Sequence, residues 1–175
     1  MKTLMIDTRQ QAGKHDLKEN YFKRMGITTL RNKLPVGDYT WMQDMSVVVD
    51  TKKDIQEVVG NLIQDHDRFR AEADLAKASG IKFYVLVENK DGVKCLEDIK
   101  KWENPRYHRW NKIRFMHSIG KWSSIPLPKR PPTDNMTLLK IMWQMQEKHN
   151  VNWAFCHPME AGAKVIELLG GFDDG

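Results

Sequence analysis

Cysteine is scarce in this 175-residue chain, with only Cys95 and Cys156. Two thiols make no disulfide framework and their separation is not a metal-ligand spacing, which excludes a cross-linked secreted scaffold and fits a reducing, cytoplasmic setting. Cys156-His157 alone is too little for zinc. Long hydrophobic runs are missing too, and no leader-like segment opens the chain, so a soluble intracellular protein without a membrane partner is expected. Gly13 and Gly26 form no phosphate-cradling loop, and repeats and low-complexity tracts are absent. Acid is nearly absent from one window. Between Lys100 and Arg130, Glu103 stands alone against nine basic residues, so that window carries +8 of a net +5 and the remainder is −3.

What is present suits one α/β domain spanning 1–175, since 41% hydrophobic content at this length fills one core and is little for two. Lys2 to Asp7 reads as a first strand. Asp16 to Met25 carries Leu17, Tyr21 and Phe22 at helical spacing and stops before Gly26. Ile27 to Lys33 reads as a second strand. In Ser46-Val47-Val48-Val49-Asp50-Thr51-Lys52, three consecutive β-branched residues predict a strand buried on both faces. Val36 to Trp41 is strand-like, and Met42 to Met45 is short enough to return it as an antiparallel neighbour. Asp54 to Ser79 predicts a long or broken helix, and Ile81 to Val87 a central buried strand.

Strand alternation puts Asp50 and Lys52 on one side of the sheet, where Asp38 can join them. Carboxylate oxygens are the hard ligands that Mg²⁺ or Mn²⁺ prefers, and a lysine beside them can steady an attacking water or developing negative charge. Two carboxylates and a lysine at one spot are therefore the residue set of a metal-dependent phosphodiesterase. An Asp at a strand end is also commonly a turn former, and Asp-x-Lys on an exposed face an ordinary ion pair.

Met5-Ile6-Asp7-Thr8-Arg9-Gln10, Leu34-Pro35-Val36-Gly37-Asp38-Tyr39 and Val49-Asp50-Thr51-Lys52 occur in the order and spacing of a known signature. They resemble the XPF-type nuclease domain of the PD-(D/E)XK superfamily, over about Met1 to Asn89. Asp50, Thr51 and Gln10 stand where that family usually has Glu, Arg and Glu. Asp-Thr-Lys with Gln64-Asp65-His66-Asp67-Arg68-Phe69-Arg70 looks most like its small phage and prophage branch. The resemblance implies a restriction-endonuclease-like mixed central sheet flanked by helices, and cleavage of branched, flap or single-strand-containing DNA. It implies that Asp38 and Asp50, with the main-chain carbonyl of Thr51, hold Mg²⁺ or Mn²⁺, that Lys52 positions the water, and that Asp7, Arg9 and Glu57 support the site. Glu19 is a further candidate ligand, His66 a candidate water-orienting base, and Arg68 and Arg70 candidate phosphate contacts, because guanidinium forks suit phosphate oxygens. The helix-hairpin-helix pair that eukaryotic members append is not found here, so DNA grip falls to this domain or a partner. Pairing with a second copy is implied as an option, for which the apolar C-terminal helices could serve.

The basic window lies in an insertion, 95–132, where Trp102, Tyr107, Trp110, Phe115 and Trp122 interleave with the cations. Arg106, Arg109, Lys112 and Arg114 would neutralise phosphates, and aromatic faces such as that of Trp110 would receive unstacked bases. The bland alternative is a basic loop whose aromatics pack on the sheet. Ile125 to Pro132 reads as an extended connector. Thr133 or Asp134 then caps a helix, Val151 to Cys156 is a strand, and Met159 to Leu169 a helix closed by Gly170-Gly171, making 133–171 an extension of the same fold. Met136, Met142 and Met145 could line a partner surface or fill the core. Besides the nuclease, a non-catalytic junction binder or partner subunit, and a phage assembly protein, stay open.

Overall fold

The computed structural model describes residues 2–9 and 16–171. Gln10 and Gly13 lie outside them. Six strands form one mixed sheet in the order β2-β1-β3-β4-β5-β6. The strands are β1 (Thr3–Asp7), β2 (Thr28–Asn32), β3 (Tyr39–Trp41), β4 (Val47–Lys52), β5 (Lys82–Glu88) and β6 (Val151–Cys156). β3 runs antiparallel to both β1 and β4, while β1–β2, β4–β5 and β5–β6 are parallel. The expected β3–β4 return thus forms, and it is the piece that carries Asp38 back beside the end of β4.

Val48 and Val49 lie at the centre of the sheet, buried on opposite faces as in a strand between two helix layers, with Val47 partly buried at its start. One layer comprises α2 (Ile55–Ile63), α3 (His66–Ala78) and α5 (Asn135–His149), whose Val58, Leu62, Phe69, Leu138 and Met142 pack with Val48, Val85 and Val87. The other comprises α1 (Asp16–Arg24) and α6 (Ala161–Leu168), whose Phe22 and Val165 pack with Leu4, Ile6, Tyr39, Val49 and Leu86. The Asp54–Ser79 periodicity resolves into two helices. Asp54 caps α2 by accepting from Glu57 N, and Gln64 and Asp65 both bond Gly60 O where α2 ends. Asp134, not Thr133, caps α5. Met142 and Met145 are core, and Met136 is exposed.

The insertion contains more order than its sequence suggests. After a 3₁₀ turn (Leu96–Lys101), α4 (Arg106–Ser118) forms, and the proline-rich segment that follows has no regular structure. Ile113 is the sole buried residue of α4, so the helix shows little apolar stripe. No helix among the described residues is long and apolar enough to cross a membrane.

Candidate active site

The site is built where β1, β3 and β4 meet. Asp38 N donates to Val49 O at 2.9 Å and Asp7 N donates to Asp38 O at 2.8 Å, so Asp38 is pinned to both neighbouring strands before β3 begins. Gly37 permits this approach. Its φ is +65°, and a Cβ there would lie 2.3 Å from Val48 Cγ1. The Asp38 carboxylate then accepts, on Oδ2, the Thr51 amide at 2.7 Å and the Thr51 hydroxyl at 2.8 Å. Thr51 thus supplies two hydrogen bonds that orient Asp38.

Asp50 and Lys52 share the face of β4 that looks toward α2 and α3, as the alternation requires. Lys52 Nζ lies 2.7 Å from Asp50 Oδ2, with only 12% and 8% of the two side chains exposed. The contact is ionic. Oδ2 is buried, and the Lys52 ammonium is its partner. Lys52 Nζ also stands 5.8 Å above the Phe69 ring, a cation–π position.

The charges act on one another. Burial and the nearby Asp50 charge push the Asp38 carboxyl up to about 7, against the pull of the Thr51 hydrogen bonds and Lys52. Burial opposes the charge on Lys52, but Asp50, Asp38 and Glu57 more than compensate and raise its pKa, so the side chain is an ammonium. Two neighbouring buried carboxylates, whose charges act on one another, form a hard-oxygen donor set that fits Mg²⁺ or Mn²⁺. Among the described residues, no three His, Cys, Asp or Glu side chains are grouped to hold an ion by themselves. A cation would therefore be held by Asp38 and Asp50 with main-chain and water oxygens, an arrangement Mg²⁺ tolerates because it keeps several waters.

Asp7 is saturated by its surroundings. It accepts from Arg9 Nε and Leu34 N, from Arg9 Nη2 and from Arg9 N, all at 2.7–3.0 Å. Burial pushes its carboxyl up, but these donors outweigh it and the net pKa is lowered. Asp7 is thereby placed as the residue that orients Arg9 and the Leu34–Asp38 turn. The Arg9 side chain is 58% exposed, and the charges of Glu72 and Asp38 reach it.

Glu72 is a site residue that sequence reasoning missed. It accepts from Gly37 N at 2.8 Å, and burial together with Asp50 raises its carboxyl pKa. A signal existed: Phe69, Ala73 and Ala76 are the buried stripe of α3, and Glu72 is an acid within that stripe.

The other candidates are placed less centrally. Glu57 accepts from Lys53 N at 2.8 Å and closes the first turn of α2. Arg68 is exposed on α3 one turn before Glu72, whereas Arg70 faces away and pairs with Asp67 at 3.3 Å. His66 lies 3.7 Å from Asp67 at the start of α3. Glu19 pairs with Arg31 and belongs to α1, on the other layer of the sheet.

On the insertion, Arg106, Arg109, Lys112 and Arg114 are all exposed on α4. Its aromatics divide. Trp102 is core, 5% exposed, while Phe115 is 62% exposed. Arg114 Cζ lies 4.6 Å from the centroid of the Trp110 ring, Tyr107 meets that ring edge-on, and Lys112 covers Trp122 at 5.4 Å.

The solved structures similar to this chain include XPF from Aeropyrum pernix, at TM-score 0.60 and 14% identity over 95% of this chain and 63% of that one. The same protein in complex with DNA matches at TM-score 0.61 and 13% identity, over 97% of this chain and 64% of that one. At such identity the likeness concerns the fold, and the chain spans less than two thirds of those proteins. No curated protein matches in sequence. The family model of the ERCC4 domain matches residues 6–169, nearly the whole chain. The chain therefore belongs to the ERCC4-domain family of XPF-type nucleases.

Proposed function

We propose that this protein is a metal-dependent endonuclease hydrolysing phosphodiester bonds in branched, flap or single-strand-containing DNA. The observation that carries the reading is the convergence of Asp38 and Asp50, where burial and the Asp50 charge together raise the Asp38 carboxyl, beside the Lys52 ammonium. Asp38 and Asp50 would hold Mg²⁺ or Mn²⁺, with the Thr51 carbonyl as a further oxygen. When bound, the ion supplies Lewis-acid polarisation of a phosphate oxygen and a water of lowered pKa. Thr51 keeps the Asp38 oxygens oriented for that task. Lys52, charged and short of solvent, stabilises negative charge as it develops on the phosphate; fully protonated, it does not take the water's proton. Arg9, aligned by Asp7, offers a guanidinium to a non-bridging phosphate oxygen. The α4 cations contribute sequence-independent grip. The Asp-Thr-Lys string supports a setting in phage DNA processing, repair or recombination.

Comparing Lys52→Ala with the parent on labelled flap DNA tests this reading. Loss of cleavage with DNA affinity retained supports it. A parent that binds junctions and cuts none of them with either metal assigns the chain to non-catalytic junction binding instead, and a cleavage rate unaltered in the variant removes Lys52 from the chemistry.

A further inference from the structure

A cavity of about 400 Å³ opens between α4 and the proline-rich segment, lined by none of the residues assigned to hydrolysis above. Arg106 and Arg109 reach it from the helix and Arg130 from the segment. None of the three guanidiniums makes an ion pair with a carboxylate, and no acidic side chain lines the cavity. Their mutual repulsion is thus left uncompensated within the described residues. Trp110 lines the same cavity, and its buried indole Nε1–H has no acceptor. An indole nitrogen can only donate, and a water or a ligand oxygen admitted by a small side-chain shift would satisfy it. Pro128 and Pro131 supply a rigid apolar wall.

From these features we infer that the α4 cavity is a subsite for one unstacked nucleotide of a single DNA strand. Its phosphate would lie among Arg106, Arg109 and Arg130, with an oxygen accepting from Trp110, and its sugar and base would lie against the prolines. Chemistry selects this ligand. Several guanidiniums ask for a polyoxygen anion and the prolines for an apolar part attached to it, and a nucleotide has both. A concave site admits a splayed base, whereas a duplex keeps its bases stacked and offers only backbone to the exposed α4 cations. The Trp110 face covered by Arg114 is not the stacking surface, so Trp110 acts through its edge. This inference rests on the DNA-directed reading above but not on hydrolysis.

The test is fluorescence anisotropy in chelator, with a labelled oligothymidylate and a duplex of equal length, and with thymidine 5′-monophosphate and inorganic phosphate as competitors. Arg109→Gln/Arg130→Gln is expected to weaken single-strand binding about tenfold or more and duplex binding far less. Trp110→Phe, which keeps the ring and removes the donor, is expected to weaken single-strand binding several-fold. Should that variant melt at a lower temperature, the exposed arginine pair decides alone. Competition by the nucleotide at lower concentration than by phosphate supports the apolar wall, and equal competition overturns it. Equal loss on single strand and duplex, or no loss, overturns the subsite. A cleavage assay on the parent separates the two readings: selective single-strand binding without any cleavage removes the nuclease and keeps the subsite, and cleavage without selectivity does the reverse.

Discussion

Replacing Asp38 with asparagine should make the metal-free protein more stable, and only on the alkaline side. The asparagine carbonyl can still accept from the Thr51 amide and hydroxyl, which now meet the carboxylate at 2.7 and 2.8 Å. What disappears is a charge that burial and Asp50 both disfavour. With the Asp38 carboxyl lifted from 3.8 to about 7, ionising it costs the folded state about 4 kcal/mol, at about 1.4 kcal/mol for each unit. Residual solvent access at Asp38 screens this to roughly 2 kcal/mol. A raised folded pKa means that the native state binds the proton more tightly than the unfolded chain. The stabilisation is full below pH 3.8 and is lost as pH rises through about 7. Urea unfolding in chelator should therefore show parent and Asp38→Asn of nearly equal stability near pH 4. The variant should be ahead by roughly 2 kcal/mol at pH 8, equivalent to about 4–8 °C in melting temperature for a chain of this size. Added Mn²⁺ should stabilise the parent and not the variant. A variant no more stable than the parent at pH 8, or a gain independent of pH, would refute the crowded-carboxylate account.

Asp7 has the opposite sign. Its donors hold the folded pKa below 3.8, so its stabilisation is present above that value and lost only on strong acidification, and Asp7→Ala should cost about 3 kcal/mol in chemical denaturation by orphaning Leu34 N and freeing Arg9. Gly37→Ala should cost about 2–4 kcal/mol, because a positive φ and the 2.3 Å overlap with Val48 act together; a thermal melt unchanged from the parent would contradict the close approach. Glu72→Gln, which can still accept from Gly37 N, should leave the fold intact yet lower the cleavage rate roughly tenfold by removing a charge beside Asp50; equal single-turnover rates would place Glu72 outside the site.

Strand β4 was legible because β-structure alternates: Val47–Val49 announces a buried strand, and parity alone puts Asp50 and Lys52 together. Asp38 was reachable because Gly37 and a four-residue connection restrict how the chain can return. Glu72 was not proposed because an acid on a helix is normally its wet face; its place in the apolar stripe of α3 was the signal, and the contact with Gly37, a partner 35 residues away, gives that place its meaning. Glu57 has the type and spacing of a supporting acid, but its oxygen is bonded to the Lys53 amide, a local pairing that spacing alone does not separate from a site role. The α4 helix escaped notice because cations surround it and a single buried residue, Ile113, anchors it, leaving no apolar period to read. Within the same segment Trp102 went to the core, a choice that composition does not determine.

The most direct test of the account is strand cleavage of a labelled flap DNA by the parent and by Asp50→Asn, with Mg²⁺ or Mn²⁺ and with chelator. The account predicts cleavage by the parent with metal only, and none by Asp50→Asn, whose DNA affinity is unchanged. Cleavage that persists in chelator, or an Asp50→Asn variant that cuts as fast as the parent, would contradict it.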